Sequence, residues 1–320
     1  MARTPAIKTV GLTKHYGDVK ALEDLDLQVE EGEIFGFLGP NGAGKTTTIR
    51  SLLNYITPTS GTAEVLGMDA QEHSVELRNL ISYQPAEYTM YENLTGGQYL
   101  QYFANLRGGV DRSYVHSLAD RLGADLTKKI ADYSTGNKQK IGLIQAFMNK
   151  RRVLILDEPV TGLDPLVQQE LQAMYQEVQD EGRTVFLSSH TLGEVERVAD
   201  RVAILRHGHL VVVERVDDLK RKAIRRLDIE FESDIDTSAF DGVKGVRNVT
   251  VRGAHASVSY DGPVGDLLRV IVNHDVLNIN SRDADLEEIF LAYYRSDEEQ
   301  ERHESRHAGD MTIEVDVRAE

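Results

Sequence analysis

The sequence predicts an α/β protein in residues 1–220 followed by a smaller α+β domain in 221–295, and three observations carry that prediction. Three short runs, 34–38, 153–156 and 184–188, are predominantly apolar, in the manner of strands buried on both faces of a sheet. From about 85 to 150 the pattern becomes Tyr- and Leu-rich and helical, with few β-branched residues, which reads as a helical subdomain inserted into the core. After the basic stretch Lys220-Arg221-Lys222 it changes again, to short strands and two helices.

Residues 7–30 alternate strand-like runs with turn signals at Tyr16-Gly17-Asp18 and Glu31-Gly32. A glycine-rich stretch follows the 34–38 strand and leads into a helix over 46–53. Helices are predicted over 97–106, 113–122 and 138–148. After the 153–156 strand, Asp164-Pro165 opens a helix with a cap residue and a first-turn proline. Val167, Leu171, Met174 and Val178 share one of its faces, and Gly182 closes it. The third buried strand is followed by a helix over 192–199 and by a hairpin, 201–205 with 209–213, about His207-Gly208. In the last domain strands are predicted over 227–232, 246–251, 255–260 and 276–280, with helices over 263–273 and 285–294. Residues 296–320 carry nine Asp or Glu against three Arg and read as a solvated acidic tail, within which 311–317 is a candidate last strand.

The chain has 36 Lys and Arg against 52 Asp and Glu, a formal charge of −16. It lacks the basic footprint that a phosphate backbone requires, so no nucleic-acid partner is expected. The longest apolar run, 289–294, falls far short of the roughly 20 residues of a spanning helix. No signal-peptide apolar region stands at the N-terminus. The absence of cysteine removes disulfides, thiolate zinc sites and cysteine nucleophiles, and fits a reducing compartment.

One motif carries chemistry on its own. Gly39-Pro40-Asn41-Gly42-Ala43-Gly44-Lys45-Thr46 has two glycines five apart followed by Lys-Thr, with a strand before it and a helix after it. Glycines let backbone N–H groups converge on phosphate oxygens, and the helix N-terminus adds its dipole. Lys45 supplies a point charge for the outer phosphates, and the Thr46 hydroxyl suits Mg²⁺. Asp157 and Glu158 end the 153–156 strand at the carboxyl edge of the sheet, where open α/β folds bind ligands. Asp157 suits a Mg²⁺ shell, and Glu158 is the candidate general base for an attacking water. His190 follows the third core strand and either is structural or reaches the same edge. Gln84 either lies at the surface or meets the metal or the water. Tyr16 either packs or stacks on a base. Ser134 and Gly136 open a helix, either as a plain cap or as a second anion site.

Together these segments resemble the ATP-binding subunit of an ABC transporter, in order and spacing, over residues 7 to about 215. The resemblance implies a P-loop, RecA-like core with an antiparallel β subdomain. Gly39 to Thr46 is similar to Walker A, and residues 153–158 to Walker B with its catalytic glutamate. Tyr16 is similar to the A-loop aromatic, Gln84 to the Q-loop glutamine, Gly162-Leu163-Asp164 to the D-loop and His190 to the switch histidine. The signature segment departs from the usual Leu-Ser-Gly-Gly: Tyr133 replaces Leu, Thr135 the first Gly, and Asn137 follows Gly136, while Ser134 and Gly136 are kept.

What the resemblance implies is an ATPase with ATP and Mg²⁺ as cofactors. Gly39, Asn41, Gly42, Ala43, Gly44, Lys45 and the amides through Thr47 would hold the phosphates, with Ser134 and Gly136 supplied by a second copy. Thr46, Gln84 and Asp157 would arrange the metal, and His190 would sense the γ-phosphate. A separate membrane permease would be contacted through 84–94, with Tyr88, Tyr91 and Glu92, at the cytoplasmic face of the membrane. The Gly136-Asn137-Lys138-Gln139-Lys140 variant and the C-terminal domain resemble ABC-2 type exporters, implying efflux of a drug-, antibiotic- or lipid-like cargo. The alternatives are a soluble ATPase acting on nucleic acid or ribosomes, and a regulatory nucleotide-binding module.

Overall fold

The computed structural model describes residues 4–222, 225–261 and 264–282. The chain divides into two compact units after Val216, so that the helix carrying Lys220-Arg221-Lys222 groups with the second. The first unit runs β1 (Ile7–Tyr16), β2 (Val19–Val29), β3 (Ile34–Leu38), α1 (Lys45–Leu52), β4 (Ser60–Val65), β5 (Met68–Asp69), α2 (Ser74–Leu77) and β6 (Ile81–Gln84). It continues through α3 (Gly96–Leu106), α4 (Arg112–Leu122), α5 (Thr135–Phe147), β7 (Val153–Asp157), α6 (Pro165–Asp180), β8 (Thr184–Ser189), α7 (Leu192–Glu196), β9 (Arg201–Arg206) and β10 (His209–Arg215).

Two sheets result. An antiparallel sheet has the order β2-β1-β4-β5. Its third strand escapes sequence patterning because Ser60-Gly61-Thr62 reads as a turn, and pairing with β1 buries only Ala63 and Val65 of it. The second sheet has the order β10-β9-β3-β8-β7-β6, parallel except for β10, which returns as a hairpin on β9. Every position of β3, β7 and β8 is buried, as their apolar composition requires. Phe186 lies 5.9 Å from Phe35 and 5.2 Å from Phe37 between ring centroids. Burying each such side chain contributes about 1.5–3 kcal/mol.

The parallel register fixes where function can sit. Leu38 pairs with Ser189, Asp157 with Ser188, and Gln84 with Leu156. The carboxyl ends of β3, β6, β7 and β8 therefore share one edge.

The helical segment between β6 and β7 is locally specified. Thr95 and Gln98 form a capping box on α3, Asp111 caps α4, and Gly123 ends α4 in the left-handed region. Arg121 of α4 forks onto Glu177 of α6 with two 2.7 Å bonds and also meets Glu170, joining the helical segment to the core. The Glu177 carboxyl is held low by the Arg121 hydrogen bonds. α7 is shorter than the expected 192–199 helix because the amides of Val198 and Ala199 turn back onto Val195 and Asp200 joins the Ile34 carbonyl, leading straight into β9.

The second unit contains α8 (Val216–Lys222), β11 (Arg225–Phe231), β12 (Val246–Arg252), β13 (His255–Tyr260), α9 (Gly265–Val272) and β14 (Val276–Arg282). Its antiparallel sheet has the order β12-β13-β11-β14, and Leu267 and Ile271 of α9 share a core with Ile229, Phe231 and Val258. The expected helix at 285–294, the candidate strand at 311–317 and the acidic tail at 296–320 lie outside the described residues. Among the described residues no helix is long and apolar enough to cross a membrane.

Candidate functional site

The turn from β3 into α1 is built of glycine because its space is already filled. A Cβ on Gly39 would stand 2.6 Å from the Leu205 carbonyl oxygen and 2.8 Å from the Ala43 Cβ. One on Gly44 would stand 2.7 Å from the Ala21 carbonyl oxygen, and φ there is +108°. Gly44 is the N-cap of α1, which starts with no side-chain cap and no acidic residue in its first turn. Free first-turn amides at the positive end of a helix form a receptor for an oxyanion.

Lys45 is 5 % exposed. Its Nζ donates to the carbonyls of Gly39 at 2.7 Å and Pro40 at 3.2 Å, and pairs with Glu158 Oε1 at 3.1 Å. The other carboxylate oxygen of Glu158 meets His190 Nδ1 at 2.5 Å. One carboxylate thus bridges the lysine of the phosphate turn and the histidine after β8. Glu158 itself sits at φ +52°, rare for a residue with a side chain.

Behind this bridge lies Asp157, fully buried. It accepts the Thr46 hydroxyl at 2.9 Å and the Ser188 hydroxyl at 2.5 Å. Burial pushes its carboxyl up, against those two hydrogen bonds. Gln84, also fully buried, donates from Nε2 to the carbonyl of Pro85 at 2.9 Å and that of Asp157 at 3.4 Å. Its Oε1 is buried without a hydrogen-bond partner, and the Tyr88 phenol lies close to the same amide. A hydroxyl, an orphaned amide oxygen and a desolvated carboxylate are all-oxygen donors that fit a hard divalent cation. No group of three His, Cys, Asp or Glu side chains able to hold a metal occurs among the described residues, so oxygens of a bound phosphate would complete such a shell.

Gly39 to Thr47, Gln84, Asp157, Glu158 and His190 therefore lie together at the edge where four strands end. Tyr16 ends β1 and is 46 % exposed, with Lys14 Nζ over its ring at 5.0 Å from the centroid. Ser134 and Gly136 have no described contact with the phosphate turn. Ser134 accepts the Asn137 amide at 3.3 Å as the cap of α5. A Cβ on Gly136 would stand 2.5 Å from the Gly162 carbonyl oxygen, so this glycine lets α5 approach the 162–164 turn. Tyr133, in the place of the usual leucine, donates its hydroxyl to the Asp125 carbonyl and occupies the space a side chain on Gly96 would need.

Two further side chains belong to the site: Gln139, within the 136–140 variant segment, and Ser188, at the end of the expected 184–188 strand. Gln139, 4 % exposed on α5, donates from Nε2 to the carbonyls of Pro159 at 2.8 Å and Glu158 at 3.2 Å. Ser188 accepts the Glu158 amide on its hydroxyl at 3.1 Å while donating to Asp157. Between them they hold the backbone on both sides of the Glu158 Cα. Ser188 could not be found from local patterning, because it looks like the polar end of a strand; the resemblance of segment 136–140 marks the position of Gln139 but not its two carbonyl partners.

Residues 22–161 match the family described as ABC transporter. The bacitracin transport ATP-binding protein BcrA of Enterococcus faecalis is 33 % identical over 291 residues, covering 89 % of this chain and 94 % of that protein. The protein of the same name from Bacillus licheniformis is 33 % identical over 295 residues, covering 89 % and 96 %. Among solved structures, an ATP-binding subunit of an ABC transporter superposes with a TM-score of 0.62 at 30 % identity, covering 68 % of this chain and 92 % of that one. A dimeric ATP-binding cassette bound to ADP and phosphate superposes at 0.61 with 19 % identity, a likeness of fold.

Proposed function

This chain belongs to the family of ABC transporter ATP-binding proteins, and from that membership we propose that it is the ATP-hydrolysing subunit of an exporter whose permease is a separate polypeptide. The observation that supports this reading best is the Lys45–Glu158–His190 bridge over the phosphate turn, which sets a cation, a carboxylate and an imidazole side by side.

Tyr16 stacks on adenine. The amides from Asn41 through Thr47 and the Lys45 ammonium receive the phosphates, with Ser134 and Gly136 of a second copy closing the site from the other side. To reach the outer phosphates Lys45 must leave Glu158, because a polyphosphate carries more negative charge than one carboxylate. Glu158, released from the lysine and still aligned by His190, orients water and accepts its proton. The water oxygen bonds to the γ-phosphorus as the bond to the bridging oxygen breaks, and ADP and inorganic phosphate are released. With its Nδ1–H on Glu158, His190 donates to a γ-phosphate oxygen from Nε2 only as the doubly protonated ring, since a neutral imidazole carries a single N–H. Thr46, Gln84 and Asp157 would hold Mg²⁺, which when bound neutralises charge on the phosphate oxygens. Closure of two copies about ATP would drive the permease at the cytoplasmic face of the membrane. The relatives transport bacitracin by name, which favours an antibiotic-, drug- or lipid-like cargo.

The test is purification of the tagged chain from detergent-extracted native membranes. The expected result is co-purification of a polytopic permease whose presence raises ATP hydrolysis. Recovery with RNA or ribosomes and no membrane protein would overturn the exporter reading.

Gln139 acts in the same proposal as a positioning residue, holding the carbonyl of Glu158 in its strained conformation. Gln139→Ala is expected to lower kcat about tenfold, the loss of one or two hydrogen bonds, with KM for ATP unchanged. Partial rescue of kcat by Gln139→Asn is expected. A rise in KM with kcat intact would reject the positioning role.

A further inference from the structure

The end of α3, the start of α4 and the end of α5 border an open pocket of about 470 Å³, with Arg107 and Lys150 exposed and Arg151 half-buried, remote from the phosphate turn and unused by the mechanism above. Arg107, Lys150 and Arg151 line it, in a chain whose net charge is −16. Lys150 is matched: it pairs with Glu181 at 2.7 Å and lies 4.8 Å from the centroid of the Tyr114 ring. The two arginines are not matched. Neither has a carboxylate partner among the described residues. Arg107 donates to the backbone carbonyl of Arg78, and Arg151 Nε is buried with no acceptor. Arg183, which donates to the Arg151 carbonyl, likewise has a buried Nη2 without an acceptor. Burial first, and then the charge of Arg151, depress the pKa of Arg107. The one acid in the lining, Asp111, has its Oδ1 committed to the amide and hydroxyl of Ser113 at 2.8 and 2.7 Å.

We propose that this pocket is a second anion site, which takes a phosphate-type dianion between the forks of Arg107 and Arg151 with Lys150 beside them. Guanidinium groups present paired donors that match tetrahedral oxyanions, and buried unsatisfied donors gain most from such a ligand. With Lys150 already paired to Glu181, the two guanidinium forks decide the ligand, and a tetrahedral phosphate can meet two forks at once where a planar carboxylate meets one. The site is distinct from the ATP site: Arg151 stands before the first residue of β7 and Asp157 at its end, about 15–20 Å apart along the strand. Free phosphate monoesters and the phosphomonoester headgroup of phosphatidate share this chemistry.

The experiment measures binding of labelled pyrophosphate to the full chain by equilibrium dialysis, after a non-hydrolysable Mg-ATP analogue has filled the ATP site. One further equivalent is expected to bind. Its affinity falls about tenfold in each single Ala variant of Arg107 or Arg151, and less in Arg151→Lys, which keeps the charge but not the fork. Arg247→Ala, in the other unit, leaves it unchanged, and ATP hydrolysis by the Arg variants reports that they are folded. Flotation with phosphatidate-containing vesicles against phosphatidylcholine vesicles separates the sources: Arg-dependent flotation on the phosphatidate vesicles assigns a lipid headgroup, and dialysis binding without flotation assigns a soluble phosphate. Absence of the further equivalent, or pyrophosphate binding that both Ala variants retain in full, would overturn the proposal.

Discussion

Glu158→Gln is expected to cut ATP turnover by about 10²–10⁴-fold, the usual contribution of a general base, while nucleotide binding persists. The substitution keeps the size of the side chain and removes its charge and its capacity to accept a proton from water. The structure adds a second consequence. Glu158 Oε1 lies 3.1 Å from Lys45 Nζ, so in the absence of nucleotide the carboxylate and a phosphate compete for the same ammonium. With the charge gone, Lys45 is held only by the Gly39 and Pro40 carbonyls. ATP affinity should therefore rise, by about 2- to 10-fold for the loss of an ion pair that is largely but not wholly shielded from solvent. Paired copies should then persist in ATP because hydrolysis no longer separates them. Phosphate release by the permease complex, nucleotide titration and sedimentation check the three statements. Turnover close to that of the parent would reject Glu158 as the base, and weaker ATP binding would reject the competition.

Lys45→Ala is expected to weaken ATP binding about 10- to 100-fold and to abolish turnover. Charge-assisted hydrogen bonds contribute about 1.5–3 kcal/mol each, and Lys45 is the one cationic side chain described in contact with the phosphate turn. Loss of the lysine also leaves the Glu158 carboxylate with the His190 contact alone among those described. Its charge then faces incoming phosphate unscreened, which adds repulsion to lost attraction. The double variant Lys45→Ala, Glu158→Gln should recover part of the affinity lost in Lys45→Ala. Fluorescent-nucleotide titration of the four proteins measures that coupling, and strict additivity would show that the 3.1 Å pair does not oppose binding.

The parts of the site that were legible are those whose chemistry is local. The phosphate turn announces itself because glycine is demanded by backbone geometry within one turn, as the crowding at Gly39 and Gly44 shows. The buried strands were legible because both faces of β3, β7 and β8 are covered, so their sequences need no alternation. β4 was not, since its few buried positions acquire meaning only against β1. Tyr133 could be seen as a departure from the usual signature, but not that its hydroxyl reaches the Asp125 carbonyl across a space left by Gly96. The cluster of Arg107 and Arg151 was equally hidden, because the two residues lie far apart in the chain and meet only where α3 and the approach to β7 converge.

By itself the sequence determined which chemical groups this protein has for phosphate: a helix start preceded by glycines, a lysine, a hydroxyl and two carboxylates at a strand end. Those properties follow from residue type and short-range spacing. Only the tertiary structure decided how the groups are partnered, with Thr46 on Asp157, Lys45 and His190 on opposite oxygens of Glu158, and Gln139 and Ser188 on its backbone. These partners come from three different strand ends and from α5. What brings them within hydrogen-bond distance is the parallel register of the sheet, a long-range packing outcome that no local run of residues encodes.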